Sequence, residues 1–158
     1  LKNVGAKYVI IGHSENRQNG ENNKLINLKI KSALQTGLKV IFCIGETLNE
    51  KRKKNTKKVL NKQITEGLKK IKYKKNILIA YEPVWSIGTG LIPKPNELFE
   101  IINFIKKNNR NSKVLYGGSV NPKNIYELKS ISNIDGYLIG GASQNSKKFI
   151  DIIKKTYN

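Results

Sequence analysis

Ile77-Leu78-Ile79-Ala80-Tyr81-Glu82-Pro83-Val84-Trp85-Ser86-Ile87-Gly88-Thr89-Gly90 begins as an unbroken apolar run and ends as a chemically equipped loop. An apolar run without polar alternation reads as a strand buried on both faces, the habit of parallel sheets. A single carboxylate, Glu82, closes the run. A rigid proline, a large aromatic and Gly-Thr-Gly follow it. Glycine accepts large backbone changes, and closing lids need a few positions that absorb them. The stretch therefore predicts a catalytic base mounted on a strand end, with a loop behind it that can close over it.

Four more continuous apolar runs lie at 8–11, 39–44, 113–116 and 136–139. Helical spacing fills most of the intervals. Leu25/Ile26, Ile30 and Ala33/Leu34 form one stripe, and Leu60, Ile64, Leu68 and Ile71 a second. Leu98, Ile101/Ile102 and Ile105 form a third, and Phe149, Ile152 and Ile153 a fourth. Between the last two strands only 125–128 offers a helical turn or two. Strand-helix alternation implies right-handed crossovers and a parallel sheet. Every run also ends in functional residue types: Gly12-His13-Ser14-Glu15, Gly45-Glu46, Glu82-Pro83, Gly117-Gly118-Ser119 and Gly140-Gly141. Chemistry at the carboxyl end of every strand is the mark of a (β/α)8 barrel, although a doubly wound sheet shares part of it. No low-complexity linker divides the chain, so residues 1–158 read as one domain.

Length and composition bound the rest. At 158 residues the chain is long enough for a real core. No apolar run approaches the roughly 20 residues a bilayer span needs, and no signal peptide is visible. The chain opens with Leu1 and reaches a strand almost at once, which reads as a fragment. A lone Cys43 excludes a disulfide framework and fits a reduced, cytoplasmic setting. The net charge of +19 raises a nucleic-acid reading. Of the 30 basic residues only Arg17, Arg52 and Arg110 are arginines, and they are scattered. Nucleic-acid recognition favours the planar arginine fork. Abundant Lys, Asn and Ile instead resemble the coding bias of an AT-rich genome, and the lysine-rich run 51–58 reads as the solvated face of a starting helix.

His13 is the only histidine, and it directly follows a strand, a place that favours function over structure. Glu82 occupies the same end of another strand. It reads either as an ion-pair member or, buried under apolar lid residues that raise its pKa, as a general base. Gly140-Gly141-Ala142-Ser143 follows a strand and should open a helix, which leaves free N–H groups for an anion. Gly117-Gly118-Ser119 repeats the arrangement one strand earlier. Glycine pairs after the last two strands suit the phosphate site that such barrels build there.

Gly-His-Ser-Glu (12–15), Cys-Ile-Gly-Glu (43–46), Tyr-Glu-Pro-Val-Trp-Ser-Ile-Gly-Thr-Gly (81–90), Tyr-Gly-Gly-Ser-Val (116–120) and Asp-Gly-Tyr-Leu-Ile-Gly-Gly-Ala-Ser (135–143) occur in that order. Together they resemble the triosephosphate isomerase family over essentially the whole chain. The resemblance implies an incomplete TIM barrel, the last five βα units only, covering strands four to eight. It implies interconversion of dihydroxyacetone phosphate and glyceraldehyde 3-phosphate through an enediol, in glycolysis and gluconeogenesis. These enzymes are the standard worked case of pKa tuning, so the acid-base roles are carried over from them. Glu82 would be the base, His13 a neutral electrophile, and Ser14 and Glu15 would orient both. Residues 83–93 would form the lid, with Trp85, Ser86, Ile87, Gly88, Thr89 and Gly90 at its centre. Gly88, Ser119, Gly140 and Gly141 would bind phosphate, and Ile87 with Leu138 would clamp Glu82. No metal or organic cofactor is implied. A small phosphorylated triose is the expected substrate, a homodimer the expected complete enzyme, and no membrane or nucleic-acid partner is expected.

Three departures qualify the pattern. The family's Asn-x-Lys on the first barrel strand has no counterpart here, and family barrels run to about 250 residues. The lysines of this chain crowd its helices, away from the strand ends. Losing a preorganised charge costs orders of magnitude in rate, so the chain alone is expected to be inactive. Asn16 replaces the first of two family arginines and Arg17 keeps the second. Pro93 occupies a position whose N–H usually latches the lid to the tyrosine at 116; proline has none, which leaves closure to Gly90 and Ser119. The competing reading is an inactive basic half-barrel that holds phosphate or nucleic acid.

Overall fold

The computed structural model describes residues 1–72, 74–109 and 112–158, so Arg110 lies outside the described residues. Its strands are β1 (Tyr8–Ile11), β2 (Lys39–Ile44), β3 (Ile77–Tyr81), β4 (Val114–Tyr116) and β5 (Gly136–Tyr137). They form one sheet in chain order, every neighbouring pair parallel. The helices are α1 (Ser14–Gln18), α2 (Asn23–Gln35), α3 (Leu48–Arg52), α4 (Thr56–Gly67), α5 (Pro95–Asn108), α6 (Ile125–Lys129) and α7 (Ser146–Tyr157). These are five consecutive βα units of an incomplete (β/α)8 barrel.

Local chemistry starts the helices. The Asn22 side chain accepts the Leu25 N–H at the head of α2, and Thr47 and Glu50 close a capping box at the head of α3. Proline at the first position of α5 loses no hydrogen bond, because that N–H has no helical partner. The predicted stripes then seat these helices on the sheet. Ile26 and Ile30, Leu60 and Ile64, and Leu98, Ile102 and Ile105 are buried against the strand row Val40, Phe42, Ile77, Ile79, Val114 and Tyr116. Helix α4 approaches so closely that a Cβ at Gly67 would stand 2.5 Å from the Phe42 ring.

Several expectations change. The opposite row of the sheet is only partly covered: Ile41, Leu78 and Leu115 are half-buried and Ile10 is exposed. Continuous apolar runs predicted burial on both faces, but five strands do not close around that inner row. Strand β4 begins at Val114 rather than 113, because the Asp135 carboxylate takes the Val114 N–H at 2.7 Å. Strand β5 ends at Tyr137 rather than 139, since β4 offers it only two paired positions. In α7 only Ile152 is buried, while Phe149 and Ile153 are exposed beyond the outermost strand. The lysine run 51–58 does not start one helix. It straddles a break between α3 and α4, where Lys54 takes a left-handed φ of 56°.

Candidate active site

Register levels the functional residues. Ile44 pairs with Tyr81, Tyr81 with Tyr116, and Tyr116 with Tyr137. The next residues, Gly45, Glu82, Gly117 and Leu138, therefore stand side by side at the carboxyl edge. Space there is tight. A Cβ at Gly45 would overlap the Glu82 carbonyl oxygen, and one at Gly117 would lie 2.8 Å from Glu82 Cγ and 3.5 Å from Leu138 Cβ. Glycine is required at both positions because Glu82 occupies the room.

Glu82 is 3% exposed, and its Oε1 lies 3.5 Å from His13 Nε2. Burial raises its pKa, against the lowering effects of His13, the Cys43 thiol, the Ser14 N–H and Arg17. The carboxylate is thus moved toward the range of a working base. His13 caps α1, and its Nδ1 accepts the Glu15 N–H at 3.4 Å. That bond assigns the acceptor role to Nδ1, so Nε2 carries the proton and faces Glu82. Ser14 is buried beside the base. Glu15 contributes only its backbone N–H in this arrangement, because its side chain is exposed.

The segment expected to form the lid leaves β3 through a 3-10 turn, Val84–Ser86. Trp85 donates its indole N–H to Glu46 at 2.8 Å, and the Tyr81 hydroxyl reaches both oxygens of the same carboxylate at 3.2 and 3.3 Å. Burial raises the pKa of Glu46 too, opposed first by Trp85. Ser86 is a hub. Its hydroxyl donates to the Leu91 carbonyl at 2.6 Å and accepts the Ser119 N–H at 3.1 Å. With its proton committed, it accepts from the Tyr116 hydroxyl at 3.0 Å. Gly88 and Gly90 take φ of 72° and 80°, and the Gly90 N–H reaches Ser119 Oγ at 3.2 Å. Pro93 leaves no N–H for Tyr116, and Tyr116 engages Ser86 instead.

A cleft of about 650 Å³ brings together His13, Glu82, Ile87, Gly88, Ser119, Leu138, Gly140 and Gly141. Trp85, Ser86 and Thr89, expected at the centre of the lid, are not among its lining residues; they bond to Glu46, the Leu91 carbonyl and the Ser86 carbonyl instead. A Cβ at Gly140 or Gly141 would meet no heavy atom within 4 Å, so their backbone faces open space. They do not open a long helix as expected. A 3-10 turn, Gly141–Gln144, intervenes before α7. Lys123 and Lys148 also border the cleft. The expectation that lysines stay away from the strand ends is corrected for these two, Lys123 in the loop between β4 and α6 and Lys148 in the first turn of α7. Among the described residues, no three His, Cys, Asp or Glu side chains group as a metal site needs, and no helix is long and apolar enough to cross a membrane.

Other contributors escaped the sequence reading. Arg17 is half-buried, with its pKa lowered by desolvation, and it donates to the carbonyls of Gly12 at 2.8 Å and Cys43 at 3.1 Å and to Asn23 at 2.7 Å. It ties the ends of β1 and β2 beneath the site. Gln63 on α4 holds both the N–H and the carbonyl of Gly45, at 2.9 and 3.0 Å. The Cys43 thiol touches Glu82, and burial pushes its pKa far up. The motif at 43–46 marked Cys43 and Glu46 without giving either a role; nothing in the pattern marked Gln63.

Comparison with known proteins agrees with this geometry. The family model described as triosephosphate isomerase matches residues 1–156. A triosephosphate isomerase of Thermodesulfovibrio yellowstonii is 43% identical over 163 residues, covering 98% of this chain and 66% of its own. One from Mycoplasmopsis pulmonis is 44% identical over 160 residues, covering all of this chain and 63% of its own. One from Leptospira biflexa is 46% identical over 168 residues, covering 98% and 68%. The chain belongs to the triosephosphate isomerase family. It spans just under two thirds of the length of the first of these relatives. Membership accounts for the parallel units, the leveled strand ends and the order of the motifs.

Proposed function

We propose that this chain carries the base, the electrophile and the phosphate cradle of a triosephosphate isomerase. The observation that supports this reading is the 3.5 Å approach of His13 Nε2 to Glu82 Oε1 at one end of a cleft floored by open glycine backbone. Glu82 removes a proton from the carbon beside the substrate carbonyl. The electron pair shifts onto the carbonyl oxygen, where the His13 Nε2–H supplies a proton, and an enediol forms. His13 then moves a proton between the two oxygens, and Glu82 returns its proton to the neighbouring carbon. No net oxidation or proton release results. Gly88, Ser119, Gly140 and Gly141 hold the phosphate, Ser14 orients the base through its N–H, and Ile87 and Leu138 keep water off Glu82. Cytoplasmic location and a homodimer belong to the same proposal.

A coupled isomerase assay tests it. The 158-residue chain is expected to show at most a trace of turnover. Joined to the first three βα units of the Mycoplasmopsis pulmonis relative, it should turn over, and Glu82→Gln should then lower kcat by about 10³-fold. A folded chimera that binds phosphate without turnover would favour the binding-module reading. Turnover indifferent to Glu82→Gln would reject the assignment of the base.

A further inference from the structure

The lysine run between α3 and α4 reads in sequence as a solvated face, yet its first member is engaged. Lys51 is 27% exposed at its side chain. Its ammonium lies 4.1 Å from the Trp85 ring centroid and 2.5 Å from Glu97 Oε1. The capping box at Thr47 and Glu50 fixes α3 directly after Glu46, so Lys51 and Glu46 approach the same indole from one short connection. Glu46 holds the edge of the ring at Nε1 and Lys51 covers a face. Trp85 stands where the lid leaves the sheet. Glu97 stands in the first turn of α5, just past the point where the lid returns. One cation therefore contacts the outgoing part of residues 83–93 and the helix that follows their return.

We propose that Lys51 is a positioning residue for the lid: it braces the outgoing Trp85 and the returning α5 against a single charge. An exposed ion pair by itself contributes little. Here the cation is mostly covered and has an aromatic face as a second partner, an arrangement that strengthens as water is removed. Without the charge, the indole keeps its bond to Glu46 but loses the partner on its face, and the two lid ends are no longer tied to each other.

The inference rests on reading 83–93 as the lid of the proposed isomerase site, and Trp85 allows a test that does not need activity. It is the only tryptophan, so its fluorescence reports this one place. Lys51→Met keeps the aliphatic stem and removes the charge, while Lys51→Arg keeps a charge that stacks well on rings. Measured without substrate, the acrylamide quenching constant of Trp85 is expected to rise about twofold or more in Lys51→Met and to stay near wild type in Lys51→Arg. Glu97→Gln, which leaves Lys51 in place, should give a smaller rise. Unchanged quenching in Lys51→Met, or an equal rise in Lys51→Arg, would overturn the proposal. If Lys51→Met does not fold, Glu97→Gln decides, and wild-type quenching there overturns it. In the active chimera the loosened lid should raise KM about tenfold. An inactive protein with the expected quenching pattern would sink the function and leave the brace standing; an active one with flat quenching would do the reverse.

Discussion

Glu82 and Glu46 are buried carboxyls without a full counter-ion, and that has a consequence for stability. The pKa of each is raised in the folded state above its ordinary value of 4.5, chiefly by burial. Below pH 4.5 both states hold the proton and the groups contribute no difference. As pH rises past 4.5 the unfolded state ionises first, which favours unfolding, and above the folded pKa the penalty is complete. Glu82→Gln and Glu46→Gln should therefore stabilise the protein more at pH 7.5 than at pH 4.5. Urea unfolding of wild type and variants at both pH values checks this, and a gain that shrinks as pH rises would contradict it. The glycine beside the base makes a second prediction. A Cβ at Gly117 would stand 2.8 Å from Glu82 Cγ, so Gly117→Ala must move the carboxylate. A displacement on that scale is expected to cost about 10²-fold in kcat of the active chimera, read by steady-state kinetics.

At the level of elements, α4 holds the site as well as the core. Its apolar stripe, Leu60 and Ile64, seats it on the sheet, and from that seat Gln63 grips the Gly45 peptide whose neighbour is the Glu82 backbone. Gln63→Leu conserves much of the volume but strands a partly buried N–H and carbonyl. It is expected to lower stability by about 1–3 kcal/mol, measured by the urea midpoint, with Gln63→Glu milder because it still accepts from the Gly45 N–H. Helix α5 offers a packing control. Leu98 is fully buried, so Leu98→Ala should cost about 2–5 kcal/mol. Located away from the base, it should leave the pH dependence of stability unchanged.

For the molecule as a whole, the open sheet is the dominant fact. Among the described residues, strand β1 pairs only with β2 and β5 only with β4. Each outer edge therefore carries backbone groups without a strand partner, which invites association. Apolar side chains lie beside these edges: Ile10 is 46% exposed, Ile153 41% and Tyr157 84%. The 158-residue chain is expected to self-associate at micromolar concentration. Sedimentation velocity should show species larger than the 17.9 kDa monomer, and Ile10→Lys should shift them toward it. A monodisperse wild-type monomer would contradict the expectation.

Sequence alone determined the parts that depend on local order. The five strands, the stripes of α2 and α5, and the carboxyl-end position of His13 and Glu82 were all legible, because periodicity and strand ends are written in consecutive residues. Tertiary structure decided which distant groups share one neighbourhood. Arg17 reaches Cys43 across 26 positions, Gln63 reaches Gly45 across 18, and Lys51 reaches Glu97 across 46. No spacing rule links such pairs, since their approach depends on how α1, α3 and α4 lie against the sheet. The half-open inner face of β2 to β4 was hidden for the same reason. An apolar run records what a strand can bury, and only the count of strands around it settles what is covered.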